Sequence, residues 1–173
     1  MIRRQLLAAG AAVATLPRLV GSQPAPLKKL LMLDFELIDE QAPAVPFPEA
    51  PARLAMISQR LREAFERERL YAVVDRAPVQ ALIESTNKTQ NLLSCNGCEL
   101  EIARKAGADR ILVGWVQKVS NLILNINIEV RELADGNSVL NKSVDLRGNT
   151  DQTWQRGIDF LVRDMVEKRQ GNR

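Results

Sequence analysis

Residues 121–133 read "NLILNINIEVREL". Leu122, Leu124, Ile126, Ile128 and Val130 take alternate positions, and Asn121, Asn125, Asn127, Glu129 and Arg131 take the opposite phase. Side chains of a strand alternate between its two faces, so this pattern predicts a strand with one buried and one wet face. The next four residues, "ADGN" (134–137), have the composition of a hairpin turn, and "SVLNKSVDLR" (138–147) returns as the partner strand. On the other side, "DRILVGWVQKV" (109–119) supplies a further apolar strand. An antiparallel three-stranded meander is therefore expected over 109–147.

Working outward, the remaining segments alternate between the two periodicities. "KLLMLDFELI" (29–38) predicts one strand, with Leu31, Leu33, Phe35 and Leu37 on a common face. The following "DEQAPAVPFPEAP" holds four of the eight prolines and predicts an extended surface loop. Leu54, Ile57, Leu61 and Phe65 stand three, four and four apart, which predicts an amphipathic helix over 51–69. "YAVVD" predicts a short buried strand, and "PVQALIEST" a helix opening at Pro78. "CNGCELEIARKAG" predicts a helix from near Cys95 to a glycine stop at Gly107. Trp154, Ile158, Leu161 and Met165 mark a closing helix over 151–168, with Asn149 and Gln152 spaced as N-cap and N3 partner. The expected fold class is α/β: a mixed sheet, with crossover strands early and the meander late, packed with helices.

The first 22 residues have the composition of an export signal. "MIRRQ" is basic, "LLAAGAAVATL" is apolar, and "PRLVGS" brings small residues to an expected cut near Ser22. The apolar stretch is shorter than the roughly 20 residues that span a bilayer, and no cysteine near it suggests a lipid anchor. Arg3 and Arg4 also fit a twin-arginine leader, so either the general or the twin-arginine route serves. Residues 23–28 are expected to link this leader to one α/β domain, 29–173. The chain carries 24 Lys and Arg against 21 Asp and Glu. The leader holds three of the arginines and no acid, so the mature part balances at 21 of each. A neutral mature chain removes the electrostatic case for nucleic-acid binding. The expected location is the periplasm, with no membrane anchor once the leader is cleaved.

There is no histidine. Histidine-based metal sites, Ser-His and Cys-His catalysis and a near-neutral proton shuttle are excluded with it. Both cysteines lie in "SCNGCEL" (94–100). A c-type haem anchor needs histidine after the second cysteine, where this chain has Glu99. A helix start beside the pair would favour a thiolate, which suits a redox couple. Against that, "NKTQNLLS" before the motif is not strand-like, and no proline follows Pro78 to face a thioredoxin-type disulfide. An exported pair of this spacing is read first as a structural disulfide pinning a loop to a helix entrance; a redox couple, a metal site shared by the two pairs of a homodimer, and free thiols are the alternatives. Such a small loop contributes less than the roughly 3 kcal/mol of a 15-residue loop.

Four weaker candidates accompany it. Asp34 and Glu36, with Asp39 and Glu40 nearby, could hold a cation or form an acid/base pair, or could be the solvated side of a strand. Arg147, Asn149 and Thr150 at the last helix start could hold a small anion, or could simply cap the helix. Phe47 between Pro46 and Pro48 could be a recognition segment or a covering loop. Asn121, Asn125 and Asn127 could form a polar binding face. Trp115 and Trp154 are expected as core anchors.

The stretches "LMLDFELID", "CNGCELEIARKAGADRILVGWVQKVSNLILNINIEVRE" and "VDLRGNTDQTW" together resemble a bacterial exported family without an assigned function, over roughly residues 30–165. Members of that family sit near quinoprotein alcohol-oxidation systems. The element order is also similar to the N-terminal domain of the translocation protein TolB and to the curli-secretion protein CsgG. The resemblance implies an accessory or assembly module with an exported protein partner, no catalytic site and no cofactor. The alternatives are a thiol–disulfide protein using Cys95 and Cys98, and a small-ligand or metal carrier.

Overall fold

The computed structural model describes residues 26–44 and 46–171. The export-signal and twin-arginine expectations therefore lie outside the described residues. Among the described residues, six strands and four α-helices follow in the order β1 (Lys29–Met32), β2 (Glu36–Asp39), α1 (Ala50–Arg67), β3 (Ala72–Val73), α2 (Gln80–Asn87), α3 (Cys98–Lys105), β4 (Arg110–Lys118), β5 (Ile123–Glu132), β6 (Ser138–Arg147) and α4 (Asp151–Gly171). The strands make one mixed sheet in the order β3-β1-β4-β5-β6. β1 and β2 both run parallel to β4, one beyond the other along its length. β4, β5 and β6 form the expected antiparallel meander.

The sheet separates two apolar layers. Leu112, Val116, Leu124, Ile126, Ile128 and Val130 face α1 and α4, which contribute Ile57, Leu61, Phe65, Trp154, Ile158 and Leu161. On the other face, Leu31, Leu33, Ile111 and Val113 meet Ile83, Ile102 and Ala103 from α2 and α3. These are the period-two and period-3.6 residues of the sequence, now brought together. Removing them from water is what stabilises the layers, at about 25 cal/mol per Å² of apolar surface.

Several elements differ from expectation. The single strand over 29–38 is broken at 33–35, and its alternation changes phase there. Leu31 and Leu33 face α2 and α3, whereas Phe35 faces α1 and α4. The phase changes because the Phe35 amide leaves the ladder and donates to Ser58 Oγ of α1 (2.9 Å). The Phe35 ring then lies over Gly114, which has no side chain to displace it. The helix expected at Pro78 begins with a 3₁₀ turn, Ala77–Val79, before α2 proper. The helix expected near Cys95 starts at Cys98, because Gly97 at its N-cap has a positive φ of 94° that turns the chain first. β5 starts at Ile123, so Leu122 sits in the β4–β5 turn, 71% exposed, and is not part of the buried row. Asn149 does not cap α4; Thr150 does, as described below.

Candidate functional site

Cys95 and Cys98 are joined in a disulfide. The bridge spans a turn between α2 and α3: Cys95 N–H donates to Asn91 O (2.8 Å), and Gly97 N–H to Cys95 O (2.7 Å). Both cysteines are half-buried at the margin of the smaller core, as is Trp115. The next residue, Glu99, is 1% exposed. Its Oε1 accepts from Arg131 Nη1 (2.8 Å), and Arg131 also holds Glu129 through Nη2 (3.0 Å). Hydrogen bonding to Arg131 holds the Glu129 carboxyl below its ordinary range, outweighing the opposing effect of burial. The other Glu99 oxygen, Oε2, lies 3.2 Å from Cys95 Sγ. Cys95, Cys98 and Glu99 thus bring one possible metal-binding atom each within 4.8 Å of one another. While the disulfide is closed, neither sulfur is available as a thiolate ligand.

A second cluster gathers three of the sequence candidates. Thr150 and Thr153 cap α4 reciprocally: Thr153 N–H donates to Thr150 Oγ1 (3.2 Å), and Thr150 N–H to Thr153 Oγ1 (3.0 Å). That frees Asn149, whose Oδ1 accepts from the buried Trp154 indole (2.9 Å) and from Arg53 Nη1 (2.8 Å). Arg53 Nε also holds Asp151 (2.7 Å), so a carboxylate of the chain itself already occupies this positively polarised helix start. Phe47 packs into the same place. Its ring centre is 6.1 Å from that of Trp154, with the Arg53 guanidinium at 5.4 Å and the Lys118 ammonium at 5.6 Å. The geometry is that of a loop fastened over the core. Arg147 takes no part; it is exposed at the end of β6, across the ladder from Ile123.

Asp34 and Glu36 do share a cavity, of about 170 Å³, with Arg76, Gln80, Glu84 and Asn87. Asp34 is already paired with Arg62 (3.3 Å) and Arg76 (2.5 Å), so the cavity presents cations as well as acids. Burial pushes the Glu36 carboxyl above its ordinary value. Asp39 belongs elsewhere: it points to the opposite sheet face, onto Lys118.

The α2–α3 layer covers only part of its sheet face. From its margin, marked by Glu36 and Trp115, the face continues by register through Ile38 of β2, Gln117 of β4, Asn125 and Asn127 of β5, and Ser143 and Asp145 of β6. Val119 and Ile123 extend this face to the β4–β5 turn, and Val119 N–H donates to Ile123 O (3.1 Å). At this end Ile38, Val119, Leu122 and Ile123 are exposed large apolar residues.

A family model described as "Protein of unknown function (DUF2380)" matches residues 28–166, which include all six strands. The chain belongs to this DUF3280 family. Comparison with curated proteins finds no match. Among solved structures, the chain is similar to the LpoB C-terminal domain from Salmonella enterica, at 13% identity and a TM-score of 0.51, over 73% of this chain and 87% of that one. The Escherichia coli LpoB C-terminal domain gives 14% identity and 0.52, over 75% and 90%. The NMR structure of Escherichia coli LpoB gives 14% and 0.52, over 84% and 86%. At such identities the likeness is one of fold, and fold alone does not assign function. Among the described residues, no helix of this DUF3280 member is long and apolar enough to cross a membrane.

Two charged residues of these clusters escape a search for motifs, Glu99 and Lys118. A signal for both exists. Glu99, Ile102 and Ala103 lie three and four apart on the buried stripe of α3, and Lys118 continues the buried row of Leu112 and Val116. A charge on an apolar phase predicts a buried partner.

Proposed function

We propose that this protein is an exported, non-catalytic accessory protein that docks on a partner protein in the periplasm and supports a quinoprotein-type oxidation system. The observation that carries this reading is the uncovered sheet face ending in Ile38, Val119, Leu122 and Ile123. Leu122 is 71% and Ile123 58% exposed, side by side at a turn where a polar residue would cost nothing. Contiguous exposed apolar side chains beside polar ones are the anatomy of a protein-contact surface. The leader-like residues 1–22 support export, and the resemblance of the sequence to a family found beside quinoprotein systems supplies the class of partner. Asp34, Glu36, Phe47, Arg147, Asn149 and Thr150 have no catalytic role in this reading. Arg147, across from Ile123, borders the contact surface.

The test is recovery of tagged protein from the periplasm, with its partners identified by mass spectrometry. The wild type is expected to bring a larger exported oxidoreductase with it. Ile123→Asp and Leu122→Asp are expected to lose that partner while keeping the wild-type circular dichroism spectrum. A wild-type chain that elutes alone, as a clean monomer, defeats the proposal.

A further inference from the structure

The Glu99 carboxylate is placed where only one redox state of the cysteine pair completes its hydrogen bonding. Its Oε1 is satisfied by Arg131 (2.8 Å). Among the described residues, the Cys95 sulfur, 3.2 Å away, is the group at hydrogen-bond distance from Oε2. A sulfur in a disulfide carries no proton and cannot donate, so the closed bridge leaves a carboxylate oxygen of a 1% exposed residue without a donor. Buried polar atoms almost always find partners, and a missing one destabilises the fold, more so when the group is charged. Reduction repairs this, because the Cys95 thiol then donates S–H to Oε2.

We propose that Cys95 and Cys98 form a reversible redox pair whose dithiol form is held by the Glu99 carboxylate, and that the pair exchanges with an external protein dithiol. An external thiolate attacks Cys95 Sγ. The Cys95–Cys98 bond breaks, and its electron pair leaves on Cys98. That sulfur is at the first position of α3, where free amide N–H groups and the helix dipole stabilise a thiolate. Cys98 takes up one proton. The second external thiol, having lost its proton, attacks the external sulfur of the mixed disulfide. Cys95 departs and takes up the second proton, which it shares with Glu99 Oε2. The external dithiol becomes a disulfide, and its two electrons and two protons are now in the Cys95–Cys98 pair. Arg131 acts at one remove, as a positioning residue, because it fixes the carboxylate with Oε2 toward the sulfur. This inference does not depend on the docking role; a protein that docks could carry an inert bridge, and one that exchanges thiols could dock elsewhere.

The test equilibrates full-length exported protein with glutathione and dithiothreitol buffers of stepped thiol-to-disulfide ratio. The dithiol fraction is read from the mass added by a thiol-alkylating reagent. The wild type is expected to titrate within the glutathione series. Glu99→Leu removes the acceptor and is expected to shift the reduction equilibrium about tenfold toward the disulfide, the loss of one hydrogen bond to a charged group. Glu99→Gln, an uncharged amide of the same shape, is expected to fall between. A wild-type bridge that stays closed in excess reduced glutathione overturns the proposal and needs no variant to fold. So do both variants titrating together with the wild type.

Discussion

Lys118 and Asp39 stand opposite each other on β4 and β2, and the Lys118 ammonium, with no exposed side-chain surface, lies 3.0 Å from the Asp39 carboxylate. Gln41 Oε1, at 3.4 Å, and the Phe47 ring face, at 5.6 Å, complete its surroundings. The pair joins the edge strand to the centre of the sheet and gives the proline-rich loop a cation to rest on. Breaking it from one side leaves an uncompensated charge in the core, which costs about 3–5 kcal/mol, whereas replacing both partners with apolar groups of similar volume is near neutral. Asp39→Ala is therefore expected to lower the urea midpoint sharply. Asp39→Leu combined with Lys118→Met is expected to recover most of that loss.

The same carboxyl sets one limit of the stability–pH profile. Burial pushes Asp39 upward, but the Gln41 amide and Lys118 outweigh it and hold the carboxyl below its ordinary value. A depressed acid contributes stability that is fully present above its unfolded value, about 3.9, and is lost as pH falls through the folded one. Glu36 has the opposite sign. Raised by burial, it binds its proton in the folded state first, so stability grows as pH falls through its folded value toward about 4.3. Urea midpoints across a pH series are expected to show both slopes. Asp39→Asn should flatten the lower one, and Glu36→Gln the upper.

The meander was legible because residues 124–130 alternate without interruption and one face of β5 is left open, so period two survives in the sequence. The break at 33–35 was not legible. Leu31, Leu33, Phe35 and Leu37 alternate as well as any strand, and the phase change depends on Ser58 and Gly114, each far away in the chain. The capping error has the same origin on a smaller scale. Asn149 is a good cap by composition, but Trp154 and Arg53 compete for its oxygen, and Thr150 with Thr153 can replace it. At the cysteines, spacing and the expected compartment pointed to a disulfide. The buried carboxylate beside it needed the β5 residue Arg131 to be seen.

Gly114 gives a packing test of that strand break. A Cβ built there would lie 2.6 Å from Phe35 Cε1, and Phe35 is itself buried. Gly114→Ala is expected to cost about 1–3 kcal/mol by overpacking. Shortening the opposing ring with Phe35→Leu should make the double variant more stable than the sum of the two single losses. That non-additivity, measured by denaturation of all four proteins, tests the contact directly.

At the start of α4, two neighbouring substitutions separate capping from core hydrogen bonding. Thr150→Ala removes the acceptor for Thr153 N–H and is expected to cost about 1 kcal/mol, as loss of an N-cap does. Asn149→Ala acts differently. The Trp154 indole has no exposed surface, so its N–H loses its acceptor without gaining water, at about 1–3 kcal/mol. Arg53 loses the same acceptor, and with it part of the force holding the guanidinium against Phe47. Asn149→Ala should therefore lower the melting temperature more than Thr150→Ala. It should also perturb the near-ultraviolet signal of Trp154, which a cap defect alone would leave close to wild type. Asn149→Asp keeps an acceptor for both donors and is expected to restore that signal.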